Sequence, residues 1–153
     1  MKKFRLFIIA VICLFVVGCG EKKVVKTCTI ENDQSINGYK SVITFTISAT
    51  GNNVVELKQK EVIESEKKDI IDFYKNDFET TYKSYSKNYG GYTYHIDVKD
   101  NQLIVDATIN YKKFNMKKYL QGNPGFKKIV NKKNLFDLNS FIEMYQGIGA
   151  VCK

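Results

Sequence analysis

The cysteines are the residues of this chain whose positions point most directly to chemistry. Four occur among 153 residues: Cys13 and Cys19 near the start, then Cys28 and Cys152. Cys13 and Cys19 belong to the export signal and anchor described below, which leaves Cys28 and Cys152 as a pair. Two thiols in an exported chain most simply form a disulfide, and two free thiols are the alternative. Neither thiol belongs to a Cys-x-x-Cys motif or has a neighbouring base, so redox catalysis is not indicated. A Cys28–Cys152 bond predicts that the first strand and the C-terminal tail are neighbours.

Residues 1–18 have the composition of an export signal. Lys2, Lys3 and Arg5 supply positive charge, and an apolar run of about a dozen residues follows from Leu6 to Val17. A helix that crosses the hydrocarbon core needs about 20 such residues, so a stable membrane span is disfavoured. The pattern predicts that this segment directs export and is then removed.

The run ends in Val16-Val17-Gly18-Cys19, which resembles a bacterial lipobox. That resemblance implies that the thiol of Cys19 receives diacylglyceryl and that the chain is cut before it. Gly18 is the small residue expected at the cut, whereas the two valines replace the more common Leu-Ala or Leu-Ser. An ordinary signal peptide with an incidental cysteine is the alternative. Two acyl chains suffice for stable residence in a membrane.

The predicted organisation is therefore a removed leader (residues 1–18), a lipidated cysteine with a short tether (residues 19–23) and one domain (residues 24–153). The expected location is the outer face of the cell membrane. A basic composition of almost pure lysine, with Arg5 as the one arginine, indicates a low-GC Gram-positive-type bacterium.

The net charge of +8 falls to +5 without the three cations of the leader. Such an excess draws a protein toward anionic surfaces. Sequence-specific nucleic-acid binding usually depends on bidentate arginine, so a nucleic-acid partner is not expected.

Catalytic, metal and cofactor sites are not expected. His95 is the one histidine, and a metal site there would need Asp97 and Asp106 to converge on it. Serine hydrolysis would also depend on His95 alone, because no Gly-x-Ser-x-Gly turn is present. The interpretation is a non-enzyme, and a hydrolase using paired carboxylates or His95 is the alternative.

Hydrophobic periodicity predicts the elements that would position these residues. Period-two alternation indicates strands over residues 24–30, 41–49, 54–64, 92–98 and 103–111. Residues 65–89 instead repeat aromatic side chains every three or four positions, which predicts an amphipathic helix of about six turns. Ser65 is the expected N-cap and Gly90-Gly91 the stop. Asp137 is expected to cap a second helix.

The aromatic positions of the long helix form a stripe that most simply faces the core; a carbohydrate- or peptide-binding surface is the alternative. We call them the tyrosine stripe: Tyr74, Phe78, Tyr82, Tyr85 and Tyr89. The order of the elements predicts an α+β fold, with antiparallel hairpins and one long and one shorter helix packed on one face.

The chain resembles the YehR-like family of small bacterial lipoproteins. Besides the lipobox, the resemblance rests on the segments Ile71-Asp72-Phe73-Tyr74, Tyr89-Gly90-Gly91-Tyr92-Thr93-Tyr94 and Gly149-Ala150-Val151-Cys152. It implies an anchored α+β domain and brings no catalytic or binding residues. The leading hypothesis is a membrane-anchored domain that binds a ligand or partner, and an inert structural or assembly lipoprotein is a further alternative.

Overall fold

The computed structural model describes residues 21–153. The predicted leader, Cys13 and the predicted lipid attachment at Cys19 lie outside this range. Six antiparallel strands form one sheet in the order β4-β5-β3-β2-β1-β6. They are β1 (Lys23–Gln34), β2 (Tyr39–Thr50), β3 (Asn53–Glu64), β4 (Tyr92–Lys99), β5 (Gln102–Asn110) and β6 (Val151–Cys152).

Three α-helices and two short 3-10 turns complete the described residues 21–153. The helices are α1 (Lys68–Tyr89), α2 (Met116–Gly122) and α3 (Leu138–Gly147), and the 3-10 turns are Ser35–Asn37 and Pro124–Ile129. Helix α1 connects β3 to β4. Among the described strands, β4 lies at one edge of the sheet and pairs with β5. The prediction of an α+β fold with antiparallel hairpins and helices on one face is confirmed.

The buried side chains form two clusters on the face of the sheet that the helices cover, which we call the inner face. The larger cluster includes Phe45 and Ile47 of β2 with Phe141 and Tyr145 of α3. In the smaller cluster, Ile71 and Tyr82 of α1 lie with Ile63, Leu103, Val105 and Ala107 of β3 and β5. Each helix therefore buries its apolar side against a different part of the sheet.

The predicted cap of the long helix is wrong. Helix α1 begins at Lys68, its N-cap is Lys67, and no side chain caps it. Ser65 is buried; its hydroxyl donates to the carbonyl of Gly38 at 2.7 Å and accepts from the Lys67 amide at 3.1 Å. It therefore links the helix to the β1–β2 connection. Asp137 does cap α3, since its Oδ1 accepts from the Ser140 amide at 3.0 Å.

The first strand and the C-terminal tail are neighbours, as a Cys28–Cys152 pairing requires. Strand β6 pairs with β1, with Cys28 directly opposite Cys152, and a disulfide joins the two sulfurs. Thr27 and Lys153 exchange two backbone hydrogen bonds beside it, at 3.2 and 2.8 Å. The cysteines therefore occupy a non-hydrogen-bonded pair position, where opposite side chains come closest.

Candidate functional site

A buried carboxylate on the inner face of the sheet is the most unusual group in the described domain. The alternation of β3 places Leu57, Gln59, Glu61 and Ile63 on this face, beneath the helices. Glu61 is only 8% exposed. An ionised carboxylate is costly to bury unless a cation or hydrogen-bond donors compensate it, so its presence in a core position calls for a cause.

The compensation that Glu61 receives is small. The side-chain amide of Gln59 donates to Glu61 Oε2 at 3.3 Å. Within residues 21–153, no lysine ammonium forms an ion pair with Glu61. Burial raises the pKa of Glu61, and the hydrogen bond from Gln59 opposes that rise only in part.

Tyrosines from two elements surround this carboxylate. Tyr39 comes from the start of β2, and Tyr74 and Tyr82 lie about two turns apart on α1. The rings of Tyr39 and Tyr74 lie 5.2 Å apart. The pKa of Tyr74 is raised to about 12, first by the Tyr39 hydroxyl, then by burial and by the charge of Glu61. Burial, followed by the charge of Glu61, also raises the pKa of Tyr82. The phenols of Tyr74 and Tyr82 therefore stay protonated and can donate hydrogen bonds.

A surface groove of about 400 Å³ lies against this cluster. It runs between the β1–β2 connection and the first turns of α1 and is lined by Asn37, Tyr39, Asp69, Ile70, Phe73 and Tyr74. Phe73 is 66% exposed and the neighbouring Ile36 is fully exposed. We call it the Tyr39–Phe73 groove.

The groove offers groups that can recognise a ligand. Tyrosine and phenylalanine rings offer flat apolar area, and phenol and amide groups offer hydrogen bonds. Glu61 supplies negative charge nearby, which favours a hydroxylated or cationic ligand over an anionic one.

His95 and its predicted partners do not form a metal site. His95 is exposed, and in register it lies directly opposite Asp106, on the face away from the helices. Across residues 21–153, no three histidine, cysteine, aspartate or glutamate side chains are grouped closely enough to hold a metal ion. The alternation of β3 and β4 places Glu61 and His95 on opposite faces of the sheet.

The tyrosine stripe packs mainly into the core. Tyr82 is 7% exposed and stacks on Tyr94 with ring centroids 5.6 Å apart. Tyr89 is partly buried and contacts Phe114 and Tyr119. Tyr85, at 39% exposure, is the most accessible member. The exposed aromatic residue next to the groove is Phe73, which is not part of the stripe.

Sequence reasoning missed Glu61, Gln59 and Tyr39 as site residues. The available signal was the side-chain alternation along β3, because Glu61 lies an even number of residues from the apolar Leu57 and Ile63 and so faces the same side. An acidic residue at an inward position between two core residues indicates a buried carboxylate. The contribution of Tyr39 depends on helix packing, and the local sequence carries no signal for it.

Solved structures of two bacterial proteins share this fold. The chain is similar to E. coli YehR, whose NMR structure matches with 20% identity, a TM-score of 0.53 and coverage of 87% of this chain and 92% of that one. It is also similar to a Streptococcus pneumoniae TIGR4 protein, with 16% identity, a TM-score of 0.50 and 86% coverage of both chains. At these identities the likeness shows a shared fold.

No protein-family model matches the sequence, and no curated protein is significantly similar to it. Within residues 21–153, the helices are all too short or too polar to cross a bilayer.

Replacing Glu61 with glutamine is expected to stabilise the domain by about 1 kcal/mol at pH 7, because the amide keeps the shape and removes the buried charge. The raised pKa of Glu61 means that wild-type stability falls as pH rises above its ordinary value of 4.5. The advantage of Glu61→Gln should therefore shrink toward pH 4. Urea unfolding at pH 4, 5.5 and 7 measures it.

The exposed Glu64 on the same strand provides the matched control. Glu64→Gln should change stability by less than about 0.5 kcal/mol at any of these pH values. A destabilised Glu61→Gln variant at pH 7 would show that the carboxylate is well compensated in the fold.

Proposed function

We propose that the chain is an exported lipoprotein of the YehR-like type, held on the extracytoplasmic face of the membrane by diacylglyceryl on Cys19. In this proposal residues 24–153 form a non-enzymatic domain that binds a ligand or partner. The observation that carries it is the Tyr39–Phe73 groove beside the buried charge of Glu61. A charge retained in a core at a cost to stability favours a role in recognition over an inert spacer.

The Cys28–Cys152 disulfide supports the exported location. It links β1 to the last strand and lies in the core, where Cys28 is fully buried. Structural disulfides of this kind persist in oxidising compartments and are rare in reducing ones.

The contacts of Glu21 and Lys22 support the anchor. The carbonyl of Lys22 accepts a hydrogen bond from the Gly51 amide at 2.8 Å. Glu21 Oε1 lies 3.4 Å from Lys133 Nζ. These contacts lie only two and three residues after Cys19, and a tether this short would hold the domain against the bilayer to which Cys19 is attached.

Replacement of Cys19 by alanine tests the anchor in cells. The wild-type chain is expected to incorporate labelled palmitate and to begin at a lipid-bearing Cys19 in mass spectra. Cys19→Ala is expected to lose the label and to retain its leader. Cys13→Ala is the matched control, because that cysteine lies within the apolar run. Membrane retention and cleavage at the same place in Cys19→Ala would exclude the anchor.

A photo-crosslinking phenylalanine analogue at Phe73 tests the binding role. In intact cells it is expected to give a discrete adduct that Tyr39→Ala abolishes, because Tyr39 forms the opposite wall of the groove. The same analogue at Thr46, on the face away from the helices, is the control. Equal adducts at both positions, or an adduct indifferent to Tyr39→Ala, would contradict binding in the groove.

A further inference from the structure

The two ends of the sheet differ in charge. Strand β1 begins at one end, which also holds the β2–β3 turn, the segment after β5 and the loop before α3. We call this the basic end and define it as residues 21–23, 51–53, 111–118 and 131–134. These segments contain eight lysines and a single acidic residue, Glu21, and all eight lysines are exposed.

The contacts at this end bring the segments together. Asn131 donates to Asn53 Oδ1 at 3.0 Å, and Lys133 meets Glu21. The Tyr111 amide donates to the carbonyl of Val55 at 3.0 Å. The nearby Asp137 caps α3 and also accepts from the side chain of Asn52, so its charge is engaged within the fold.

The opposite end has the reverse balance. Its segments are the β1–β2 connection, the β3–α1 connection and the β4–β5 turn, at residues 31–40, 64–69 and 97–102. They contain seven carboxylates and four lysines. The Tyr39–Phe73 groove lies at this acidic end, since Asn37 and Asp69 line it.

We propose that the basic end lies flat against anionic phospholipid headgroups and turns the Tyr39–Phe73 groove away from the membrane. This rests on the proposed anchoring through Cys19. We assign this surface to a bilayer because the tether to Cys19 joins the domain at this same end. Gly20 and Glu21 together span at most about 7 Å, which is within the range over which an anionic leaflet attracts lysine at physiological salt.

The orientation can be measured on the full chain, isolated from membranes and reconstituted in vesicles. One vesicle set is phosphatidylcholine, and the other contains about one third phosphatidylglycerol. Trace acetylation by an amine-reactive ester, read by mass spectrometry, gives a labelling rate for each lysine. Lys112, Lys113, Lys132 and Lys133 are expected to label at least about threefold more slowly on the anionic vesicles, because each lysine near such a surface gains about fivefold in local affinity.

Lysines of the acidic end are the internal control. Lys40, Lys67, Lys68 and Lys99 should label at equal rates on the two vesicle sets. The protection at the basic end should disappear in 1 M salt, where the Debye length falls to about 3 Å. Equal labelling of both ends, or slower labelling at the acidic end, would overturn the orientation.

Charge variants test the cause. Lys22 and Lys23 belong to the same end and should also label more slowly on the anionic vesicles. Substitution of Lys112, Lys113, Lys132 and Lys133 by glutamine is expected to abolish that difference, whereas substitution of the four acidic-end lysines should leave it unchanged. Equal protection by soluble poly(glycerol phosphate) without vesicles would show that the end binds anionic polymer and overturn the lipid assignment. The mass of Cys19 in the same sample reports the anchor separately, so each proposal can fail alone.

Discussion

Removal of the disulfide by Cys28→Ala together with Cys152→Ala is expected to lower the free energy of unfolding by about 2–4 kcal/mol. The bond joins residues separated by 124 positions. Cross-linking so long a loop restricts the unfolded chain strongly, although measured gains depend only weakly on loop length. The bond also joins the two-residue strand β6 to β1, beside the two backbone hydrogen bonds between Thr27 and Lys153.

Urea unfolding of the oxidised and the reduced protein measures this contribution. The reductant should destabilise the wild type by a similar amount and leave the double variant unchanged. Alkylation without reductant should modify neither cysteine in the native wild type. Two alkylatable thiols in that sample would show that the bond is absent in solution, and an unchanged midpoint in the double variant would show that it contributes no stability.

Gly91→Ala is the second substitution with a large expected effect, a loss of about 3 kcal/mol. Gly91 lies between α1 and β4 with a φ of +71°. A Cβ there would lie 2.6 Å from the carbonyl oxygen of Asn110 and 3.1 Å from the amide nitrogen of Phe114. Both contacts are with backbone, so relief of the clash requires movement of β5 or of the segment after it.

Gly147→Ala is the matched control. Gly147 is the last residue of α3, and an added Cβ would meet no atom within 4 Å. Alanine has the higher helix propensity, so this variant should be neutral or stabilised by up to about 1 kcal/mol. Thermal unfolding of the two variants beside the wild type distinguishes them. A Gly91→Ala variant as stable as Gly147→Ala would mean that the α1–β4 junction adapts to a side chain.

Local patterning predicted the strands and the long helix well. Ile43, Phe45 and Ile47 alternate with polar residues, and strand β2 indeed spans them. The turn around Gly51 and the stop at Gly90 depend on backbone conformations that the neighbouring sequence reveals. These signals involve residues close in the chain, so one sequence is enough to read them.

An interaction between distant segments explains the wrong helix cap. Ser65 is a good N-cap by residue type, yet its hydroxyl bonds to Gly38, 27 residues away in sequence. A metal site at His95 would have needed Asp97 and Asp106 to converge on it; Asp106 does lie opposite His95, but no group of three possible ligands occurs among the described residues. Both outcomes depend on which segments the sheet brings together.

The sequence alone was enough to predict the alternation of the strands, the period of the long helix and the antiparallel α+β class, because each follows from the side-chain spacing along a regular backbone. It is also the sole basis for the predicted leader and the lipid on Cys19. Only the packing of distant segments shows that Tyr39 and Tyr74 lie beside Glu61, and that lysines from separate segments share one end of the sheet. These arrangements depend on segments that are distant in sequence, and such segments come into contact only when the chain is fully packed.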